Sequence, residues 1–238
     1  MPVLLFPTFH STLLTVPVMR QTWRDLLFAH WPVPADTLAA LLPAGLIPDQ
    51  HSGSAWLGII PFRMTSIRLY GLPAIPFLSS TLELNVRTYA TRNGIPGVYF
   101  FSLDAANPVA VGIARRFFYL PYFNAAMRCH RDDAIHFESC RREGQCCQVD
   151  YQPVGAAALS EPGSLDHFLT ERYALYTSDR KGQLYRGDIR HKPWNLQPAT
   201  ATFRENSMTG SLGIVLAGSP RLSFSRELEV TILGLKRC

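Results

Sequence analysis

A chain of 238 residues is long enough to bury a sizeable core, and its 47% hydrophobic and 17% charged residues place it among ordinary globular proteins. Its net charge of +5 rests on twenty arginines and three lysines (Lys181, Lys192, Lys236) that form no patch or tail. The pairs Arg115-Arg116 and Arg141-Arg142 stand outside any reading motif, which excludes nucleic acid as a partner.

Five cysteines (Cys129, Cys140, Cys146, Cys147, Cys238) with no CxxC spacing predict reduced thiols in a cytoplasmic protein. No metal site and no cofactor is expected. The first eighteen residues, MPVLLFPTFHSTLLTVPV, are apolar but lack a basic start and are broken by Pro2, Pro7 and Pro17. They read as an edge strand or loose extension, neither leader nor membrane span, and no membrane contact is expected.

Met19 to Trp31 is ambiguous between strand and helix, and Pro32 and Pro34 end it. Ala35 to Leu42 predicts a short amphipathic helix stopped by Pro43. Ala55 to Phe62 (AWLGIIPF) is a near-continuous apolar run, hence a buried strand. Gly71 to Pro76 is a loop. From Leu82 to Tyr89 the residues alternate, with Leu82, Leu84 and Val86 on one face and Glu83, Asn85, Arg87 and Tyr89 on the other. A strand period of two sets successive groups on one face roughly 6–7 Å apart. Arg92-Asn93-Gly94 and Ile95-Pro96-Gly97 are turn chemistry, and Gly97 to Leu103 predicts the returning strand of a hairpin.

Asn107-Pro108 supplies an N-cap and a first helical proline for a helix over Val109 to Arg115 or Arg116. Phe117 to Leu120 is strand-like before Pro121. Further strands are expected at Ala126 to Cys129, Ile135 to Arg141 and Cys147 to Tyr151, with a turn at Arg131-Asp132-Asp133. A capped helix follows at Leu165 to Leu169. Tyr173 to Thr177 and Gly182 to Arg190 predict a hairpin. Late strands are read at Leu212 to Leu216, Leu222 to Ser225 and Glu229 to Leu233. Strands outnumber helices and no repeat or linker appears, so the class is a single α+β domain, mainly antiparallel β.

No catalytic motif of known spacing is present. Candidates therefore come from polar groups in apolar surroundings. The row Glu83, Asn85, Arg87 is either the wet face of an antiparallel sheet or the lining of a ligand site, where Arg87 would hold a carboxylate and Glu83 would act as acid or base. Arg115 and Arg116 either complement a helix C-terminus or reach a ligand. Tyr119 and Tyr122 either pack in the core or turn a hydroxyl into a cavity. His30-Trp31-Pro32 and His191-Lys192-Pro193-Trp194 either brace loops or contribute to a site. Asp104 is read as assisting the turn into the helix.

The ordered segments HWPVP (30–34), AWLGIIPFRM (55–64), ELNVRTY (83–89), PGVYFFSLDA (96–105), ARRFFYLPYFNAAM (114–127), SLDHFLTERYALY (164–176) and HKPWNL (191–196) resemble the YqjF-like family of uncharacterised bacterial proteins. That family looks like a relative of the acetoacetate decarboxylase superfamily. The resemblance implies residues 1–18 as an extension and 19–238 as one domain, with strands curled into a closed, cone-like β-barrel around a small-molecule cavity. In the decarboxylases a lysine forms a Schiff base with a β-keto acid and a nearby glutamate positions the substrate. Glu83 matches the glutamate, but the Pro-Lys-Lys stretch falls on Pro121-Tyr122-Phe123, so the imine is expected to be absent.

The expectation is a small carboxylated or carbonyl-bearing ligand held by Asn85, Arg87, Tyr122, Arg116, His191 and Trp194, with Glu83 as the catalytic group. Any reaction would be that of a lyase, isomerase or hydrolase without a Schiff base. A non-catalytic ligand sensor or an interaction scaffold on the same fold is the alternative, and homo-oligomerisation is left open.

Overall fold

In a computed structural model the described residues are 16–75 and 79–238. The strands are β1 (Pro17–Val33), β2 (Ile47–Pro48), β3 (Ala55–Leu69), β4 (Thr81–Arg92), β5 (Ile95–Ala105), β6 (Tyr122–Arg131), β7 (Ile135–Arg141), β8 (Cys146–Pro153), β9 (Ala158–Leu159), β10 (Ala174–Ser178), β11 (Leu184–Arg190), β12 (Asn195–Asn206) and β13 (Arg221–Arg237). Three short helices, α1 (Ala35–Ala39), α2 (Pro108–Phe117) and α3 (Leu165–Thr170), join them. No helix among the described residues is long and apolar enough to cross a membrane. The class is the expected one, α+β and mainly antiparallel, although β5 pairs in parallel with both β10 and β6.

One feature of the pairing sets up the site. Strands β1, β3, β4, β5, β10, β11 and β13 are hydrogen-bonded in that order, and β13 returns to β1. They form a closed ring. A ring gives each strand an inner and an outer face, and a second layer buries the outer face here. Strand β6 leaves β5, β7 and β8 follow it, and β12 carries the layer back to β13. Leu84 and Val86 of β4 point into this interlayer core with Leu57, Ile59, Ile135, Phe137, Val149 and Phe224. Each such side chain contributes roughly 1.5–3 kcal/mol by leaving water. The alternate residues of β4 must then face into the ring.

Local chemistry explains the elements. Asn93 and Gly94 both have positive φ (51° and 74°), the two-residue turn whose twist suits a hairpin. β5 therefore starts at Ile95, two residues before the expected return strand. Asn107 caps α2, its Oδ1 accepting from the Val109 N–H at 3.0 Å. Ser164 caps α3, accepting from the His167 N–H.

The ambiguous Met19 to Trp31 stretch is strand. Its pairing with β3 is interrupted between Arg24 and Ala29, where Asp25 takes a φ of 52°. β1 begins at Pro17, inside the stretch read as an extension, and Val16 accepts a hydrogen bond from Gly234. The rest of that stretch, and Pro76 in the expected loop, lie outside the described residues.

Several expectations are corrected. Leu212 to Leu216 is a 3-10 turn followed by irregular chain, because Gly213 takes a left-handed φ of 67°. Leu222 to Ser225 and Glu229 to Leu233 are parts of one strand, whose pairing with β1 runs on between them through Leu228–Trp23 and Glu227–Arg24. Phe117 ends α2, and residues 118–121 are not strand; Tyr119 has a φ of 52°. β12 was not among the expected strands, and Pro198 sits inside it. That proline lies where β12 leaves β13 for β8, and its carbonyl accepts from Val154. Cys140 and Cys146 stand directly opposite each other on the β7–β8 hairpin and are joined by a disulfide, so the thiols are not all reduced. Cys129, Cys147 and Cys238 are free.

Candidate functional site

The ring encloses a cavity of about 80 Å³ whose lining includes Glu83, Asn85, Arg87, Tyr122, His191 and Trp194. The polar row is therefore inside the ring and not wet: Glu83, Asn85 and Arg87 are only 3%, 6% and 8% exposed. Six of the seven residues expected at the site converge on one space. Arg116 does not. It is exposed at the end of α2, beside the Phe117 ring, and outside the cavity lining. The helix turns it outward, as a residue complementing a C-terminal dipole.

Glu83 and Tyr122 meet from the two strands that flank β5. Tyr122 follows Pro121 into β6, pairing in parallel with Leu103, and its hydroxyl donates to Glu83 Oε2 at 2.7 Å. Asn85 also hydrogen-bonds the Glu83 carboxyl. Burial dominates the titration of this group, pushing Glu83 up from 4.5 to about 7; the two hydrogen bonds oppose the shift and the Asp104 charge adds to it. Tyr122 is driven well above its ordinary value by the same burial and by Glu83. The result is a carboxyl populated in both protonation states near neutral pH.

Arg87 is held from the other side. Its Nη2 donates to the Leu169 carbonyl at 3.2 Å and to the Tyr89 hydroxyl at 3.3 Å, and the guanidinium lies over the Phe28 ring. Tyr89 Oη is 2.6 Å from the Leu169 carbonyl and 2.6 Å from His30 Nε2. The hydroxyl has one proton, and a carbonyl only accepts. Tyr89 therefore donates to Leu169, while His30 donates from Nε2 to Tyr89. Burial, helped by Arg87, holds His30 well below its ordinary value, hence neutral. Gly58 of β3 lies opposite His30, and a Cβ there would come within 2.9 Å of the imidazole. The missing side chain makes room for the brace. Arg87 takes part in no ion pair among the described residues, which is costly for a buried cation.

The third wall is aromatic. His191 stacks on Tyr173 at 4.5 Å, and its Nδ1 lies 2.7 Å from the Lys192 carbonyl, so Nδ1 carries the proton and Nε2 the lone pair. Burial lowers its titration. Trp194 stacks with Trp23 and meets Phe28 edge-on, while its backbone N–H donates to Glu171 at 2.8 Å. Among the described residues, Arg87 Nε, Trp23 Nε1, Trp194 Nε1, Asn85 Oδ1 and His191 Nε2 are buried without hydrogen-bond partners, all on residues lining this cavity.

Residues the sequence did not single out include Trp23, Gln21 and Arg172. Arg172 is neutralised by Asp49 at 2.6 Å. Only the convergence of distant strands reveals them. His30 supports Arg87 from behind, and Tyr119 is partly exposed against Tyr185 and outside the lining. Asp104 does not serve the turn into α2: it is fully buried and ion-paired to Arg141. None of Lys181, Lys192 and Lys236 lines the cavity; the first two are exposed and Lys236 pairs with Asp188 at 2.5 Å. A larger, open groove of about 550 Å³ runs past Trp31, Phe203 and Val215, but no charged side chain lines it.

Known proteins share this architecture. Acetoacetate decarboxylase from Legionella pneumophila superposes with a TM-score of 0.66 at 13% identity, over 94% of this chain and 88% of that one. The enduracididine biosynthesis enzyme MppR complexed with pyruvate gives 0.67 at 13% identity, over 97% and 94%. At such identities the likeness is one of fold. In sequence, the uncharacterized protein YqjF of Bacillus subtilis (strain 168) is 45% identical over 224 residues, 92% of each chain. The model of a family of uncharacterized conserved proteins, DUF2071, matches residues 20–229, and the chain belongs to that family.

Proposed function

We propose that the ring cavity binds a small metabolite carrying a carboxylate and a carbonyl, and that Glu83 exchanges a proton with it without Schiff-base chemistry. The observation that carries this reading is the pairing of a buried, unneutralised Arg87 with a protonatable Glu83 in one enclosed space. A buried guanidinium calls for an anion, and a carboxylate suits its Nε–H. At roughly 10–15 Å³ per water-sized position, a cavity of about 80 Å³ takes roughly five to eight non-hydrogen atoms. That is the scale of a short keto or hydroxy acid, and pyruvate is the molecule complexed with MppR.

In this reading Arg87 holds the carboxylate, and Asn85 and Tyr122 orient the carbonyl end. Glu83 removes a proton beside the carbonyl and returns one. Trp23, His191 and Trp194 close the space and keep water out. No lysine lines the cavity to form an imine, and the family resemblance implies Tyr122 at the place of the decarboxylases' lysine.

The test is exchange of the α-protons of pyruvate and acetoacetate in deuterated water, followed by NMR, alongside calorimetric binding. Wild type should bind one of these acids and exchange its protons. Glu83→Gln should retain affinity within a few-fold while exchange falls by at least ~100-fold. Arg87→Met should weaken binding by roughly 10–100-fold. Borohydride should trap no adduct. A stable adduct on any lysine, or binding indifferent to Arg87, would sink the proposal; binding without exchange would leave a ligand sensor.

A further inference from the structure

The β6–β7 hairpin carries a second cluster of chemistry-bearing side chains, none of which lines the ring cavity. His130 and His136 are directly opposed cross-strand partners, and their imidazoles lie face to face with centroids 4.5 Å apart. Asp132 sits in the turn between them. Its Oδ1 is fixed by the Ala134 N–H at 3.1 Å and lies 2.9 Å from His136 Nε2. One ligand atom from each of His130, Asp132 and His136 falls within 4.8 Å of the other two.

A further shell organises the cluster. His136 Nδ1 is 2.6 Å from Asp150 Oδ1 on β8, and Asp150 is in turn paired with Arg204 on β12. A carboxylate on Nδ1 fixes which nitrogen is turned outward, here Nε2, toward Asp132 and His130. This is the carboxylate–histidine arrangement that orients imidazoles on metals and makes them better donors.

We propose that His130, Asp132 and His136 form a surface site for a divalent transition cation of the zinc, nickel or cobalt class, oriented by Asp150. Two imidazoles are borderline donors that select these ions over magnesium or calcium, and the single carboxylate is a ligand that either class accepts. Three protein ligands leave the remaining positions to water. A cation there takes the Nε2 lone pair of His136, any proton on that nitrogen passing to solvent, and Asp132 Oδ1 is already 2.9 Å from the same nitrogen. All three ligands come from one short hairpin, so binding ties the β6–β7 turn to β8 through Asp150.

The experiment is calorimetric titration of the full chain with zinc chloride after chelator treatment, in a buffer that does not bind zinc. One equivalent per chain should bind saturably. His130→Ala and His136→Ala should each lower the affinity at least ~10-fold, and Asp150→Asn by ~10–100-fold, the cost of losing an orienting partner. Cys129→Ser and Cys238→Ser should leave the equivalent in place, which separates the hairpin from thiol binding. Circular dichroism checks that each variant is folded, and these partly exposed side chains should permit it. Absence of saturable zinc binding by wild type overturns the inference. So does binding that survives both histidine substitutions, or that disappears with the cysteines.

Discussion

Adjacent strands β4 and β5 each bury an acid in the neighbourhood of an arginine, and the two sets are finished differently. Asp104 of β5 receives Arg141 Nε and Ser139 Oγ at 2.6 and 2.8 Å, and Arg141 Nη2 makes a further ion-pair contact at 2.6 Å. Every oxygen is used. The Arg141 guanidinium also covers the Phe123 ring at 4.0 Å, so the pair pins β7 and β6 to β5. Glu83 of β4 instead faces a tyrosine and an amide, and Arg87 has no ion pair among the described residues. Charges satisfied by the protein hold the fold together; a charge buried and left open costs stability that the fold itself does not recover.

The widest gap between the two sets should appear in stability. Asp104→Ala or Arg141→Ala leaves one uncompensated buried charge and should cost about 3–5 kcal/mol in urea denaturation. Arg87→Met loses two hydrogen bonds but also removes an unpaired cation, and should stay within about 1 kcal/mol of wild type. Equal costs for Arg141→Ala and Arg87→Met would erase the distinction.

The pH dependence separates them next. Glu83 is raised in the folded state from 4.5 to about 7, so its acid form is favoured by folding. The associated stability is fully present below pH 4.5 and is lost as pH rises through about 7. At about 1.36 kcal/mol per unit, the loss amounts to about 3 kcal/mol at most. Glu83→Gln has no carboxylate to ionise. It should match wild type in urea midpoint near pH 4 and exceed it at pH 8. Parallel curves for the two proteins would show that Glu83 ionises without penalty, as a solvated carboxylate does.

A smaller effect comes from the hydroxyl that ties the acid to β6. Tyr122→Phe removes a hydrogen bond to the ionised form of Glu83 and should cost about 1 kcal/mol above neutral pH. It should also move the Glu83-dependent step in stability to higher pH, because Tyr122 lowers that titration in the folded chain. A step displaced downward would mean that the hydroxyl had favoured the neutral acid.

Much of this contrast was legible in the chain, but unevenly. Alternation along Leu82 to Tyr89 gave the two faces of β4, because period two is a local property of a strand. Whether the polar face was wet depended on ring closure, which needs β13 to return to β1 from more than 180 residues away, as in the Met19–Ile232 pair. The family resemblance supplied that closure, where periodicity had none to offer. Asp104 looked like a turn residue since its partner Arg141 arrives from β7, beyond any local pattern. The same limit hid β12, whose partners β13 and β8 change over at Pro198. Cys140 and Cys146 were misread for a related reason: spacing suggested no pairing, whereas hairpin register sets them face to face.

Arg116 supplies the smallest expected effect and the sharpest boundary to the site. It belongs to a conspicuous Arg-Arg pair one helix away from Tyr122, and charge alone would nominate it as an anion anchor. The geometry divides that pair. Arg115 Nε donates to the Tyr122 carbonyl at 2.6 Å, bracing the strand that carries the Glu83 partner, while Arg116 lies exposed beside Phe117. Exposed charges at a helix end contribute only tenths of a kcal/mol through the dipole and are screened by salt. Arg116→Ala should therefore change stability by less than about 0.5 kcal/mol and leave acid binding and α-proton exchange as in wild type. A ten-fold loss of affinity for pyruvate in that variant would mean that α2 swings its C-terminal turn over the ring when a ligand enters, and the site would then have to include the helix.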